Sequence, residues 1–133
     1  MPSCPALDQL RLLALLACAG AAGALSRYLL AGAINSLTGG PFPWGIFVTN
    51  VLGCFLFGLI WELGAVRGLF SEAVRTVLAT GFVGAFTTFS TLVFDLYLLE
   101  RLGQWLSLAA NLCGQLVLGF AALRLGMWLV RLV

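Results

Sequence analysis

The chain has no histidine and no lysine, and charged residues make up 9% of its 133 positions. Without imidazole there is no histidine general base, and no other catalytic dyad stands in for one. Gly81 and Gly84 are followed by aromatics and threonines, not by the lysine that a phosphate-binding loop requires. No enzyme class finds support. The scarcity of charge also removes the polar coat of a soluble globule, and a 62% hydrophobic composition with mean hydropathy +1.08 puts the chain in lipid. The seven arginines are scattered, so the formal charge of +2 leaves no nucleic-acid footprint and reports topology at most. Cys4, Cys18, Cys54 and Cys113 lack metal or redox spacing and read as small buried side chains.

What is present is apolar sequence in long runs. A membrane span needs about 20 predominantly apolar residues, and the stretches 10–30, 44–63, 74–99 and 105–129 qualify. The linkers are short, among them the turn-rich Gly39-Gly40-Pro41-Phe42-Pro43, so the expected fold is all-α, one four-helix transmembrane domain over 1–133. Residues 12–22 have some look of a secretory signal. Asp8 and Arg11 nearly cancel, however, and the apolar run continues past the cleavage site, so the segment reads as helix one. Small residues recur at four-residue spacing (Cys18 with Ala22, Gly20 with Ala24, Gly45 with Thr49 and Gly53, Gly81 with Ala85), which lets helix backbones approach closely in lipid. Four helices enclose little space for a pore, and a dimer sharing its pathway between chains is the expected working unit.

The third span contains Gly-Phe-Val-Gly-Ala-Phe-Thr-Thr-Phe-Ser-Thr from Gly81 to Thr91. Its glycines and hydroxyls predict a helix broken near its middle, and irregular backbone at membrane depth belongs to protein interiors or wet paths. Thr88, Ser90 and Thr91 there, Asn50 in the second span, and Asn111 with Gln115 four residues apart on one face of the fourth make a ladder of neutral donors suited to an anion that must not stick. Phe89 is placed where its ring edge meets such an ion. Glu62, Glu72, Glu100 and Asp8 fall at or near segment ends, where a solvated or snorkelling carboxylate is the default, while Asp95 enters a span. Arg27, late in the first span, reads as an interface anchor or an anion-drawing vestibule residue, and Arg124 has no partner legible in the sequence.

Residues 20–28 (Gly-Ala-Ala-Gly-Ala-Leu-Ser-Arg-Tyr), 48–55 (Val-Thr-Asn-Val-Leu-Gly-Cys-Phe) and the Gly81–Thr91 motif together resemble the Fluc (CrcB) fluoride channels, in order and spacing along essentially the whole chain. The resemblance implies a dual-topology antiparallel homodimer with two fluoride pathways and a central structural sodium ion. The sodium would be held by backbone carbonyls at the positions matching Gly84 and Thr87. It places the pore asparagine on Asn50, the first pore phenylalanine on Phe89, the polar track on Asn111 and Gln115, the vestibule arginine on Arg27 and an acid on Asp95. It departs at one position: the family usually repeats its phenylalanine three residues on, and this chain has Leu92. Phe94 does not replace it, since it projects about 200 degrees away on a helix.

Arg11, Arg67, Arg75 and Arg131 flank the terminal side against Arg27 and Arg101 on the other, which favours cytoplasmic termini and keeps open a heterodimer with a related, oppositely inserted subunit. The expected function is passive fluoride export across the inner (plasma) membrane. Rival readings are a small multidrug-type proton-coupled exporter, which needs an acid in helix one that the stretch between Arg11 and Arg27 lacks, and a structural subunit whose polar residues are packing glue.

Overall fold

The computed structural model describes residues 5–132, so Cys4 lies outside the described residues. Among those residues every element is helical. Helix α1 runs Pro5–Thr38 and α2 Trp44–Trp61, the latter ending in a π turn over Glu62–Val66. The third hydrophobic segment is composite: α3 (Glu72–Thr76), a π stretch (Val77–Val83), α4 (Gly84–Phe86), and after a break α5 (Phe89–Arg101). Helix α6 runs Trp105–Leu132. Four helical segments, Asp8–Thr38, Trp44–Val66, Glu72–Arg101 and Trp105–Leu132, are long and apolar enough to cross a bilayer. The chain is a multi-pass membrane protein.

Apolar burial cannot hold such a bundle, because lipid tails are as apolar as leucine; close backbone packing does the work. A Cβ on Gly23 of α1 would collide with the Phe82 carbonyl oxygen, one on Gly58 of α2 with that of Leu123, and one on Gly126 of α6 with that of Phe55. Each of these glycines lets one helix ride on another's main chain. Gly45 and Gly53, members of the four-residue pattern, are equally tight, against Ala31 and Thr87 respectively, whereas Cys18 is exposed. Asn35, on the last turn of α1, accepts the Gly45 N–H at 2.8 Å through Oδ1 and so satisfies one orphan donor at the start of α2.

The apolar window of the first span ends near Leu30, yet α1 continues to Thr38, so Arg27 sits well inside the helix. One expectation about charged residues changes. Glu62 is not solvated: its side chain is 2% exposed and accepts Arg131 Nε at 2.7 Å and Arg131 Nη2 at 3.1 Å, a two-pronged pair joining the end of α2 to the end of α6. Beside it the Arg75 guanidinium lies 5.1 Å over the Trp61 ring.

Candidate functional site

The third segment breaks at Thr87 and Thr88, whose backbones are extended (φ −90°, ψ 158° and φ −150°, ψ 120°) between helical neighbours. In an unbroken helix the Thr88 N–H would donate to the Gly84 carbonyl. Here it donates to Asn50 Oδ1 at 2.8 Å. The Thr91 N–H would return to the Thr87 carbonyl, and instead donates to Thr88 Oγ1 at 3.3 Å as an N-cap bond. The break therefore releases the carbonyls of Gly84 and Thr87 from their helical donors. Thr87 itself is anchored, its N–H and its Oγ1 both donating to the Val83 carbonyl at 3.0 Å.

Gly53 makes the break possible from the other side. A Cβ there would overlap Thr87 Cγ2 and come within 3.3 Å of Phe86, so only glycine lets α2 pass against the unwound turn. Arg27 belongs to the same region: its Nε donates to the Ala85 carbonyl at 3.2 Å, which places it at the break and not with the amides. Gly84 is exposed on the surface of the single chain.

From the break a line of hydrogen bonds crosses to α6. Asn50 Nδ2 donates to the Thr88 carbonyl at 3.1 Å and to Gln115 Oε1 at 2.7 Å, and Gln115 Nε2 donates to Asn111 Oδ1 at 2.8 Å. Asn111 is fully buried and Gln115 is 8% exposed. On the near side, Thr88 Oγ1 lies 3.2 Å from Ser90 Oγ and 3.0 Å from Thr91 Oγ1. The structure thus joins Asn50, Thr88, Ser90, Thr91, Gln115 and Asn111 into one network. Asp95, farther along α5, is not bonded into it, and its Oδ2 is buried without a partner among the described residues.

A recess of about 220 Å³ opens beside this network, lined by Asn50, Cys54, Thr87, Thr88, Phe89, Leu92, Gln115 and Leu116. Phe89, 77% exposed, forms its outer wall, and Leu92, 6% exposed, its inner one. Phe94 is 56% exposed and absent from the lining, as its angular distance from Leu92 requires. The recess is neutral throughout. On the backbone, the carbonyls of Gly84 and Thr87 lose their helical donors at the break, and α5 begins a new helical run at Phe89.

The sequence carries no signal for Gly23, Gly58 or Gly126 as contact points, because backbone approach depends on crossing geometry. The pairing of Glu62 with Arg131 across 69 residues was equally silent.

Residues 14–127 match the family model described as CrcB-like protein, Camphor Resistance (CrcB). The chain is 54% identical over 121 residues to the fluoride-specific ion channel FluC of Solidesulfovibrio magneticus, covering 91% of this chain and 97% of that protein. It is 47% identical over 121 residues to a protein of the same name from Nitrosococcus oceani, with the same coverage. A third relative of that name, from Nitratidesulfovibrio vulgaris (strain Miyazaki F), is 50% identical over 119 residues, 90% of this chain and 96% of its own length.

Proposed function

The chain belongs to the CrcB-like family, and from that premise we propose that it is a fluoride channel, passing the ion down its gradient and so lowering cytoplasmic fluoride. The observation that carries the reading to particular residues is the uncharged hydrogen-bond network from Thr88 through Asn50 and Gln115 to Asn111. Fluoride is small and tightly hydrated, so a path must replace its water with closely set donors while offering no cation strong enough to trap it. Amides and the hydroxyls of Thr88, Ser90 and Thr91 meet both demands, with Phe89 as the apolar wall that keeps bulk water out. No reacting group is needed for such transit, and the chain works as a channel and not as an enzyme.

The working unit is a dimer of antiparallel protomers in the inner (plasma) membrane, packed across faces that include the exposed Gly84. The released carbonyls of Gly84 and Thr87 fit a sodium ion, a hard cation that takes oxygen ligands, and two such pairs about a two-fold axis make a four-oxygen cage. The sodium would neutralise the carbonyl end of the broken helix and hold the protomers together. Arg27, bonded to Ala85, steadies the turn between those carbonyls and adds positive potential near the path; Asp95 stands farther along α5, where an acid would flank the vestibule.

A second reading is favoured by one observation. The arginines on the terminal side (Arg11, Arg67, Arg75 and Arg131) outnumber Arg27 and Arg101 on the other. That imbalance favours one orientation, which suits pairing with a related, oppositely inserted subunit.

Asn50→Asp tests the assignment of the path. The carboxylate still accepts from Thr88 N–H but donates to nothing, and fluoride release from liposomes falls by about a hundredfold or more, since an unpaired buried charge costs on the order of 3 kcal/mol. Release at the wild-type rate refutes the assignment.

A further inference from the structure

The three side-chain amides form a chain whose direction is fixed by the main chain. An isolated amide can turn over, exchanging its oxygen and nitrogen with little change of shape. A backbone N–H cannot. Because the Thr88 N–H donates to Asn50, the oxygen of Asn50 must face it, and turning the amide would set donor against donor. Both N–H groups of Asn50 are then committed, one to the Thr88 carbonyl and one to Gln115 Oε1. Gln115 in turn has its oxygen held toward Asn50, so its nitrogen faces Asn111 and donates to Oδ1.

The consequence falls at the far end. Asn111 spends its oxygen on Gln115, and its Nδ2 is left fully buried with no partner among the described residues. Buried donors are rarely left unpaired, and such an orphan asks what acceptor completes it. The preceding amides are aligned, each polarising the next, so this last N–H is a stronger donor than a lone amide would be.

We infer that Asn111 Nδ2 is the amide that contacts fluoride, and that Asn50 is a positioning residue that locks the chain so its donor end, never its carbonyl end, faces the ion. This rests on the fluoride-channel reading of the same network. Anion over cation preference then originates in the helix break: by presenting the Thr88 N–H to Asn50, it orients Gln115 and Asn111. Asp95 Oδ2 on α5 is the other buried atom without a partner among the described residues, and it is not bonded to Asn111.

The test is a titration of the full chain, labelled with 15N at asparagine and held in detergent micelles, followed through its side-chain amide resonances. Asn35, bonded to Gly45 away from the network, serves as the reference. Sodium fluoride is expected to shift the Asn111 pair saturably, with smaller movement at Asn50 and none with sodium chloride. In liposomes Asn111→Ser, whose hydroxyl both accepts from Gln115 and donates onward, keeps fluoride release within about tenfold of wild type. Asn111→Asp accepts but cannot donate, and loses about a hundredfold or more, as when a single oxyanion donor is removed. A shift at Asn50 with Asn111 silent, an equal response to chloride, or equal loss in the two variants overturns the inference. So does an Asn111 resonance that moves on Asp95→Asn but not with fluoride. An Asn111 shift in a chain that releases no fluoride from liposomes would leave the donor assignment standing and remove the channel reading instead.

Discussion

Two polar clusters tie the same pair of helices, α2 and α6, and they are built from opposite materials. Near the middle, Asn50 meets Gln115 through neutral amides. Near the terminal end, Glu62 meets Arg131 through full charges in a two-pronged pair. The clusters are separated by 12 residues along α2, about 18 Å at helical rise. The charged pair is complete in itself, each carboxylate oxygen matched by a guanidinium nitrogen, and it has nothing left to offer an ion. The neutral cluster ends in an unsatisfied donor at Asn111. Charge serves as a staple here, and the neutral cluster is the one proposed as a path.

Exchanging the character of the two clusters should separate these roles. The largest effect is expected from putting charge into the path, where Asn50→Asp removes fluoride release by about a hundredfold or more. A smaller loss comes from the scaffold of the path. In Gly53→Ala the new methyl collides with Thr87, which is β-branched and tied to Val83 by two bonds, so the break must move. Overpacking of this kind costs about 1–3 kcal/mol, and fluoride release should drop about tenfold with the protein still folded by circular dichroism. The smallest effect on transport belongs to the staple. Glu62→Gln should lower the thermal unfolding temperature of the purified protein while release per folded chain stays within about twofold of wild type, as for distant independent sites. A transport loss in Glu62→Gln as large as that in Asn50→Asp would erase the distinction between the two clusters.

The break itself was legible in the sequence, because two glycines and a run of hydroxyls inside the apolar stretch 74–99 have few other uses. Asn111 and Gln115 were legible as a pair, since four residues on a helix place them on one face. Their direction was not. It depends on Thr88 offering a main-chain N–H to Asn50 across 38 residues, a contact that only the packed bundle creates. The first helix outlasts its apolar window for a local reason. The residues after Leu30, Ala-Gly-Ala-Ile-Asn-Ser-Leu-Thr, are less apolar as a group, and a hydropathy window stops where the helix does not. Glu62 was misjudged because position near a segment end predicts solvation only when no partner reaches it, and Arg131 arrives from the far end of the chain. Leu92, marked in the sequence as a departure from the resemblance, is buried in the recess wall beside Asn50 and Gln115.

The central claim is that this chain, through an uncharged network opened by a helix break, conducts fluoride. The direct measurement is ion release from liposomes that contain this chain alone, loaded with equal fluoride and chloride and triggered by relieving the membrane potential. Fluoride is expected to leave the liposomes with chloride retained. Retention of both ions, or release of chloride at the rate of fluoride, would contradict it.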